Sequence, residues 1–151
     1  MRKGIKRFII TLVCLLLVCA SALSETVYVL CQPDSFVYVR AFAKRGAAVA
    51  GYAELGDALE TDGEKQNGFL RVYGFEGEAW INAGFVTYYP VQIEEVDSWI
   101  NSSGRVACRR SVNGTRRKWL KDGDDVTIYA RSYEWSITDQ GFIKTAYLGG
   151  L

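Results

Sequence analysis

The chain has 151 residues, 49% hydrophobic and 23% charged, with 15 Gly and 2 Pro. That composition is globular and excludes a disordered or collagen-like chain. The formal net charge is +1 and there is no His, which removes Ser-His-Asp and Cys-His catalytic pairs and every His-ligated metal site. With only 4 Cys, a four-cysteine zinc site would need the N-terminal region, so neither a metal nor a cofactor is expected.

The N-terminus reads as a targeting segment. Arg2, Lys3, Lys6 and Arg7 form a positive region, an apolar stretch runs from Phe8 to Ala20 broken only by Thr11, and small residues follow at Ala20, Ala22 and Ser24. This is the pattern of a signal peptide over 1–24. The apolar stretch falls short of the roughly 20 residues that a transmembrane helix needs. No stable membrane span is therefore expected after cleavage, and the protein is expected outside the cytoplasm, secreted or held at the cell envelope. Cys19 raises a lipid-attachment alternative, against which stands the bulky Val18 before it.

Without that segment, residues 25–151 carry 14 basic and 17 acidic residues, a net −3. Residues 25–97 are at −7 and residues 98–151 at +4. A nucleic-acid binder is usually basic with a continuous basic face, so no nucleic-acid partner is expected. The asymmetry suits a solvated surface, docking of the two halves on each other, or a basic half that meets an anionic wall polymer. Cys31 and Cys108 remain after cleavage, one in each half. Outside the cytoplasm they can form a disulfide, worth about 3–4 kcal/mol in the chain-entropy model, or stand as two buried thiols. Neither has a His to activate it as a nucleophile.

The rest of the chain reads as strands: Thr26–Leu30, Phe36–Arg40, Ala58–Thr61, Phe69–Tyr73, Glu78–Ile81, Arg105–Arg109, Val126–Ala130, Trp135–Thr138 and Gly141–Lys144. These short runs alternate or cluster β-branched and aromatic residues. Turn dipeptides at 62–63, 67–68, 76–77, 113–114 and 122–123 separate them. Only Ile93–Ile100, with Ile93, Val96, Trp99 and Ile100 on one stripe, has helical spacing, and it reads as a short amphipathic connector. Trp99 is the expected wedge between the units on either side.

The pattern occurs twice. Arg40 matches Arg109, Gly56-Asp57 matches Gly123-Asp124, Phe69 matches Trp135, Trp80-Ile81 matches Phe142-Ile143, and Val86 matches Leu148. The first copy contains Val39-Arg40, Gly56-Asp57, Gly68-Phe69-Leu70-Arg71-Val72 and Trp80-Ile81, in the order of the bacterial SH3 (SH3b) domain, which it resembles. The second copy keeps the order in a degenerate form, with Glu134 where the family has Gly before the aromatic. The chain is similar to small exported tandem-SH3 proteins of Gram-positive type. The resemblance implies an all-β fold of two small SH3-like barrels: barrel 1 over 25–89, a connector over 90–104, and barrel 2 over 105–151. Arg40 and Arg109, each ending a strand before a long loop, are expected to hydrogen-bond loop carbonyls.

No nucleophile, base or carboxylate pair converges in the sequence. Glu94-Glu95 and Asp124-Asp125 are adjacent on a connector and a turn, so no catalysis is expected. Aromatics beyond the needs of the core are the better signal: Tyr38, Tyr73, Phe75, Tyr88, Tyr89, Tyr129 and Tyr133. A tyrosine offers an apolar face and a polar tip to a peptide or sugar. Tyr73 and Phe75 flank the longer hairpin of the first copy and lead this set. Arg116, Arg117, Lys118 and Trp119 place three cations beside an aromatic in what reads as the long loop of the second copy, suited to a carboxylate- or phosphate-bearing polymer. The resemblance implies a non-catalytic module that binds cell-wall peptidoglycan, with a protein–protein adaptor in an envelope or mobile-element assembly as the alternative.

Overall fold

The computed structural model describes residues 24–151, so the targeting segment lies outside the described residues apart from Ser24. The protein is all-β, and every pairing among the described strands is antiparallel. The first half holds β1 (Glu25–Val29), β2 (Phe36–Arg40), β3 (Val49–Glu54), β4 (Ala58–Thr61), β5 (Lys65–Gln66), β6 (Phe69–Val72) and β7 (Ala79–Asn82). A single 3-10 turn (Ala83–Phe85) then leads into β8 (Val86–Thr87). Its strands form a three-stranded sheet, β4-β1-β8, and a five-stranded sheet, β3-β2-β7-β6-β5.

The second half holds β9 (Gln92–Ile100), β10 (Val106–Arg109), β11 (Arg116–Leu120), β12 (Asp125–Arg131), β13 (Trp135–Thr138), β14 (Gly141–Lys144), a 3-10 turn (Thr145–Tyr147) and β15 (Leu148–Gly149). The pairing scheme of the first half recurs. β9 lies between β12 and β15 as β1 lies between β4 and β8, and β11-β10-β14-β13 follows the order of β3-β2-β7-β6. The difference is one of strand length. The 7-residue β12 pairs with both β9 and β13, so the second half is one seven-stranded sheet. The 4-residue β4 pairs with β1 alone, and two bonds tie it toward β6, Tyr73 N–H to the Glu60 carbonyl at 2.9 Å and Thr61 Oγ1 to the Arg71 carbonyl at 2.6 Å.

The two Gly-Asp turns show why those residues are there. Gly56 and Gly123 have φ of +87° and +78°, a region that side chains with a Cβ avoid. The following carboxylate then accepts from the backbone three residues back: Glu54 N–H to Asp57 Oδ2 at 2.8 Å, and Lys121 N–H to Asp124 Oδ2 at 2.7 Å. Each turn also clips onto the first strand of its half, Gly56 N–H to the Val29 carbonyl and Gly123 N–H to the Ile100 carbonyl.

Two segments to which the sequence reading gave another form are strands. Ile93–Ile100 is not a helical connector but most of β9, hydrogen-bonded on both sides within the second sheet. The stripe of Ile93, Val96, Trp99 and Ile100 fits a helix on paper. Yet Ile93 and Trp99 are exposed, and the residues buried are Ser98 and Ile100, at strand period. Pairing with the long β12 decides the matter, since propensity yields to a partner strand. Arg116–Leu120 is likewise not a loop but β11, an edge strand in which only Leu120 is buried.

Four apolar clusters hold the described residues together, the smallest made of Ala43, Phe69 and Trp80. One fills the first half around Val27, Val29, Val39, Leu70 and Ile81. A second fills the other half around Ile100, Val106, Ile128 and Ile143. The third lies between the halves: Leu30 is buried with Ala130, Trp135, Ile137 and Phe142, and Leu55 and Phe85 pack against them. Phe85 meets Phe142 edge-on with ring centroids 5.9 Å apart. Val112 N–H donates to the Gly84 carbonyl at 2.8 Å, and Gln32 Nε2 donates to the Thr138 carbonyl at 3.1 Å. The wedge is therefore Leu30 against Trp135 and Phe142. Trp99, expected in that role, is 46% exposed and covers Gly149 and Gly150 instead.

Of the two alternatives for the cysteines, the buried thiols are the one found. Cys31 and Cys108 are buried free thiols in different apolar clusters. Each is satisfied separately, Cys31 Sγ by the Ser35 carbonyl at 3.6 Å and Cys108 Sγ by the Gln140 carbonyl at 2.9 Å. Burial, reinforced by the charges of Asp57 and Glu54, pushes the Cys31 thiol from 9.0 up to about 11. Burial also raises Cys108. Both stay protonated at pH 8, so thiol-reactive dye should label neither at an appreciable rate until denaturant is added, and then both without reductant. Labelling that required a reductant would restore the disulfide. The sign for stability follows: the folded state keeps the Cys31 proton where the unfolded chain sheds it, so stability falls as pH rises from about 9 toward about 11.

Candidate functional site: an arginine-lined cleft between the halves

The packing of the halves leaves a cleft of about 570 Å³ whose lining contains Arg40, Arg45, Arg109, Arg110 and Arg117 and no Asp or Glu. Aromatic side chains, chiefly Phe36, Tyr38, Phe85 and Phe142, complete its walls. Both halves contribute equivalent pieces: the end of β2 with the loop after it, and the end of β10 with the loop after it.

Arg40 and Arg109 sit where the ladder slips, at a bulge between Val39 and Arg40 in one half and between Cys108 and Arg109 in the other. Such bulges re-aim a side chain at the end of a strand. Arg40 Nη1 donates to the Ala47 carbonyl at 2.7 Å, and Arg109 Nη1 donates to the Gly114 carbonyl at 2.8 Å. The loop-clasping role expected of both residues is therefore present. One bond of this kind leaves most of the N–H donors of a guanidinium unused. Arg40 also lies over the Tyr38 ring, 5.1 Å from its centroid.

Arg45 and Arg110 are exposed residues of the two loops, and Arg117 comes from β11. Arg117 Nη1 reaches the Gln140 carbonyl at 3.4 Å. Among the described residues the ion pairs involve Arg71 and Arg131 only, so none of the five cleft arginines is neutralised by a carboxylate. Five fixed positive charges around one concavity reinforce one another and concentrate anions there. The guanidinium fork is the side chain best matched to carboxylate or phosphate.

A second depression, lined by Arg131, Tyr133, Trp135 and Lys144, contrasts with this. Its cations are already engaged: Arg131 pairs with Glu94, and Lys144 lies 5.8 Å from the centre of the Trp135 ring.

The candidates from sequence scatter across the surface. Arg117 lines the cleft. Arg116, Lys118 and Trp119 lie exposed on the same edge strand, with Arg116 over the Trp119 ring at 4.5 Å and Lys118 Nζ bonded to Gln140 Oε1. Phe75 packs against the first core, across Gly51, so closely that a Cβ on Gly51 would lie 2.6 Å from its ring. Tyr73 is exposed on the acidic side of the first half, near Asp62. There the Arg71 guanidinium holds the Asp62 carboxyl well below the usual carboxylate range. Tyr38 is in the cleft, whereas Tyr89 and Tyr133 pair with each other, centroids 5.2 Å apart.

Phe36, Arg45 and Arg110 were not legible as site residues. Phe36 and Tyr38 carry a signal in retrospect, since residues two apart on a strand share a face.

The cleft offers charge and aromatic surface. Among the described residues, no group of three or more His, Cys, Asp or Glu converges as a metal site would require. No helix among them is long and apolar enough to cross a membrane.

No family model matches the chain, and no curated protein matches it. Two solved structures from Trichomonas vaginalis are similar to it. NlpC2 matches with a TM-score of 0.38 and 11% identity over 87% of this chain and 50% of that one. NlpC1 matches with a TM-score of 0.36 and 13% identity over 85% of this chain and 46% of that one. The chain thus spans about half the length of each.

Proposed function

We propose that the protein is an exported, non-catalytic binding module of the cell envelope, built from two SH3-like units, whose ligand is an anionic component of the cell wall held in the cleft between them. The observation that carries this reading is the set of five arginines around one cavity without a carboxylate in its lining. Leaving such charges unpaired serves no folding purpose, because like charges brought together weaken the compact state. Arg40 and Arg109 have structural bonds as well, but Arg45 and Arg110 make no side-chain hydrogen bond among the described residues. The leader-like residues 1–24 support export. The absence of His and the protonated, buried Cys31 support binding without covalent chemistry.

The test is co-sedimentation of the purified protein with peptidoglycan sacculi. Binding should be clear at low salt and weaken at about 0.5 M salt, where the screening length is only a few ångströms. The triple variant Arg45→Gln/Arg110→Gln/Arg117→Gln keeps both loop clasps and should bind at least about tenfold more weakly, a difference of ~1.4 kcal/mol. Arg116→Gln/Lys118→Gln, on the same edge strand but outside the cleft lining, should bind nearly as the unaltered protein does. Equal losses in the two variants would reduce the interaction to general surface charge. No sedimentation at micromolar protein would redirect the search to a protein partner.

A further inference from the structure

Beside the cleft, the outer face of β2 and β3 carries three large aromatic side chains that the fold does not use. Phe36, Tyr38 and Tyr52 are 48%, 43% and 60% exposed, while Val37, Val39 and Ala53 between them are buried on the opposite face. Tyr38 and Tyr52 are directly opposed across the ladder. Phe36 lies 5.2 Å from Tyr38 and 5.0 Å from Tyr52, both edge-to-face, and Tyr38 lies 5.5 Å from Tyr52. Rings set at these angles form a floor rather than a parallel-walled slot. The floor is continuous with the positive cleft, because Phe36 and Tyr38 line it and Arg40 lies over Tyr38.

An occupant must bring two things together within a few ångströms: a face of C–H groups bordered by hydroxyls, to lie on tyrosines with an apolar body and a polar tip, and an anion for a guanidinium. An acidic peptide supplies the charge and leaves the floor bare. A single-stranded nucleic acid supplies rings and phosphates, but its bases favour parallel stacking, and the tilted rings of the floor offer no parallel-walled slot for them. A sugar ring bearing a carboxylate or phosphate supplies both and fits the floor.

We propose that the ligand is an anionic polysaccharide, its sugar rings lying on Phe36, Tyr38 and Tyr52 and its carboxylate or phosphate groups held by Arg40 and Arg45. This rests on the cleft being the binding site, and it names what enters.

The experiment is calorimetric titration of the full protein with five probes: oligogalacturonate (ring and carboxylate), dextran phosphate (ring and phosphate), unmodified dextran (ring alone), polyglutamate (carboxylate alone) and oligothymidylate (base and phosphate). Oligogalacturonate or dextran phosphate should bind at least about tenfold more tightly than dextran or polyglutamate, and whichever of the two leads identifies the anion. Tyr38→Ala/Tyr52→Ala should erase that advantage, weakening oligogalacturonate and dextran phosphate at least about tenfold. Tyr133→Ala, 79% exposed and outside the floor, should change neither. Circular dichroism of each variant shows whether it is folded, and exposed positions such as these tolerate truncation. Polyglutamate equal to both sugar probes, oligothymidylate tighter than both, or a sugar advantage that survives Tyr38→Ala/Tyr52→Ala would overturn the proposal. If the sacculi still sediment the protein while the sugar probes fail, the polysaccharide assignment falls and the wall module stands. If the sacculi fail too, both fall.

Discussion

Trp135→Ala should cost about 3–5 kcal/mol of stability, the range for truncating a large buried aromatic. Trp135 is 2% exposed and sits in the cluster that joins the halves, with Leu30, Ile137 and Phe142 around it. Its backbone N–H is bonded to Ser132 Oγ, and its carbonyl accepts from the Ser132 N–H at 2.8 Å, so the site is braced on its own strand and cannot collapse freely onto the void. Removing the ring therefore weakens the second half and the contact between the halves together. Urea unfolding followed by circular dichroism measures the loss. Trp119→Ala is the control: Trp119 is 46% exposed on the edge strand β11, and its loss should stay within about 0.5 kcal/mol. A Trp135→Ala loss as small as that of the control would mean that the two halves do not depend on this cluster.

Gly141→Ala should be the most damaging of the glycine substitutions. Gly141 has φ of +130°, and a Cβ there would meet the Arg109 carbonyl oxygen at 2.7 Å and Cys108 Sγ at 3.0 Å. Backbone strain of about 1–3 kcal/mol is joined by the cost of displacing a packed strand, roughly another 1–3 kcal/mol. The paired strands β10 and β14 must move apart, and Arg109, which ends β10 and lines the cleft, moves with them. We expect a melting temperature lower by roughly 10 °C or more and weaker binding to sacculi. Gly63→Ala gives the comparison. Its φ is +79° with nothing within 4 Å of the added carbon, so only the left-handed backbone cost of about 1–2 kcal/mol applies. Similar melting temperatures for the two variants would show that the sheet yields cheaply at Gly141.

Most of the well-buried strands were legible in the sequence, and the edge strands β3 and β11 were not. Phe36–Arg40, Trp135–Thr138 and Gly141–Lys144 are strands at the bounds expected from their β-branched and aromatic content. β3 and β11 were missed because each buries a single residue, Ala53 and Leu120, so neither has an alternation to read. β9 was misread because two of its apolar side chains, Ile93 and Trp99, point out of the core and imitate a helical stripe. The structural role of Arg40 and Arg109 was visible from their place before a long loop. Their meeting in one cavity with Arg45, Arg110 and Arg117 was not. Phe75 looked like a ligand-binding aromatic because it is a large ring in a hairpin, yet Gly51 opposite leaves the space into which it packs.

The sequence by itself determined the all-β character, the twice-used Gly-Asp turns and the lack of any His-dependent chemistry. These follow from local rules: side-chain period, backbone freedom at glycine, and the chemistry each residue type carries. The tertiary structure alone decided which charges meet. Arg40 and Arg45 belong to the half with net charge −7, and Arg109, Arg110 and Arg117 to the half at +4. They converge because Leu30, Trp135 and Phe142 pack the two halves so that the ends of β2 and β10 face one cleft. No local rule reaches across that distance, since the contacts that set it are between residues about a hundred positions apart.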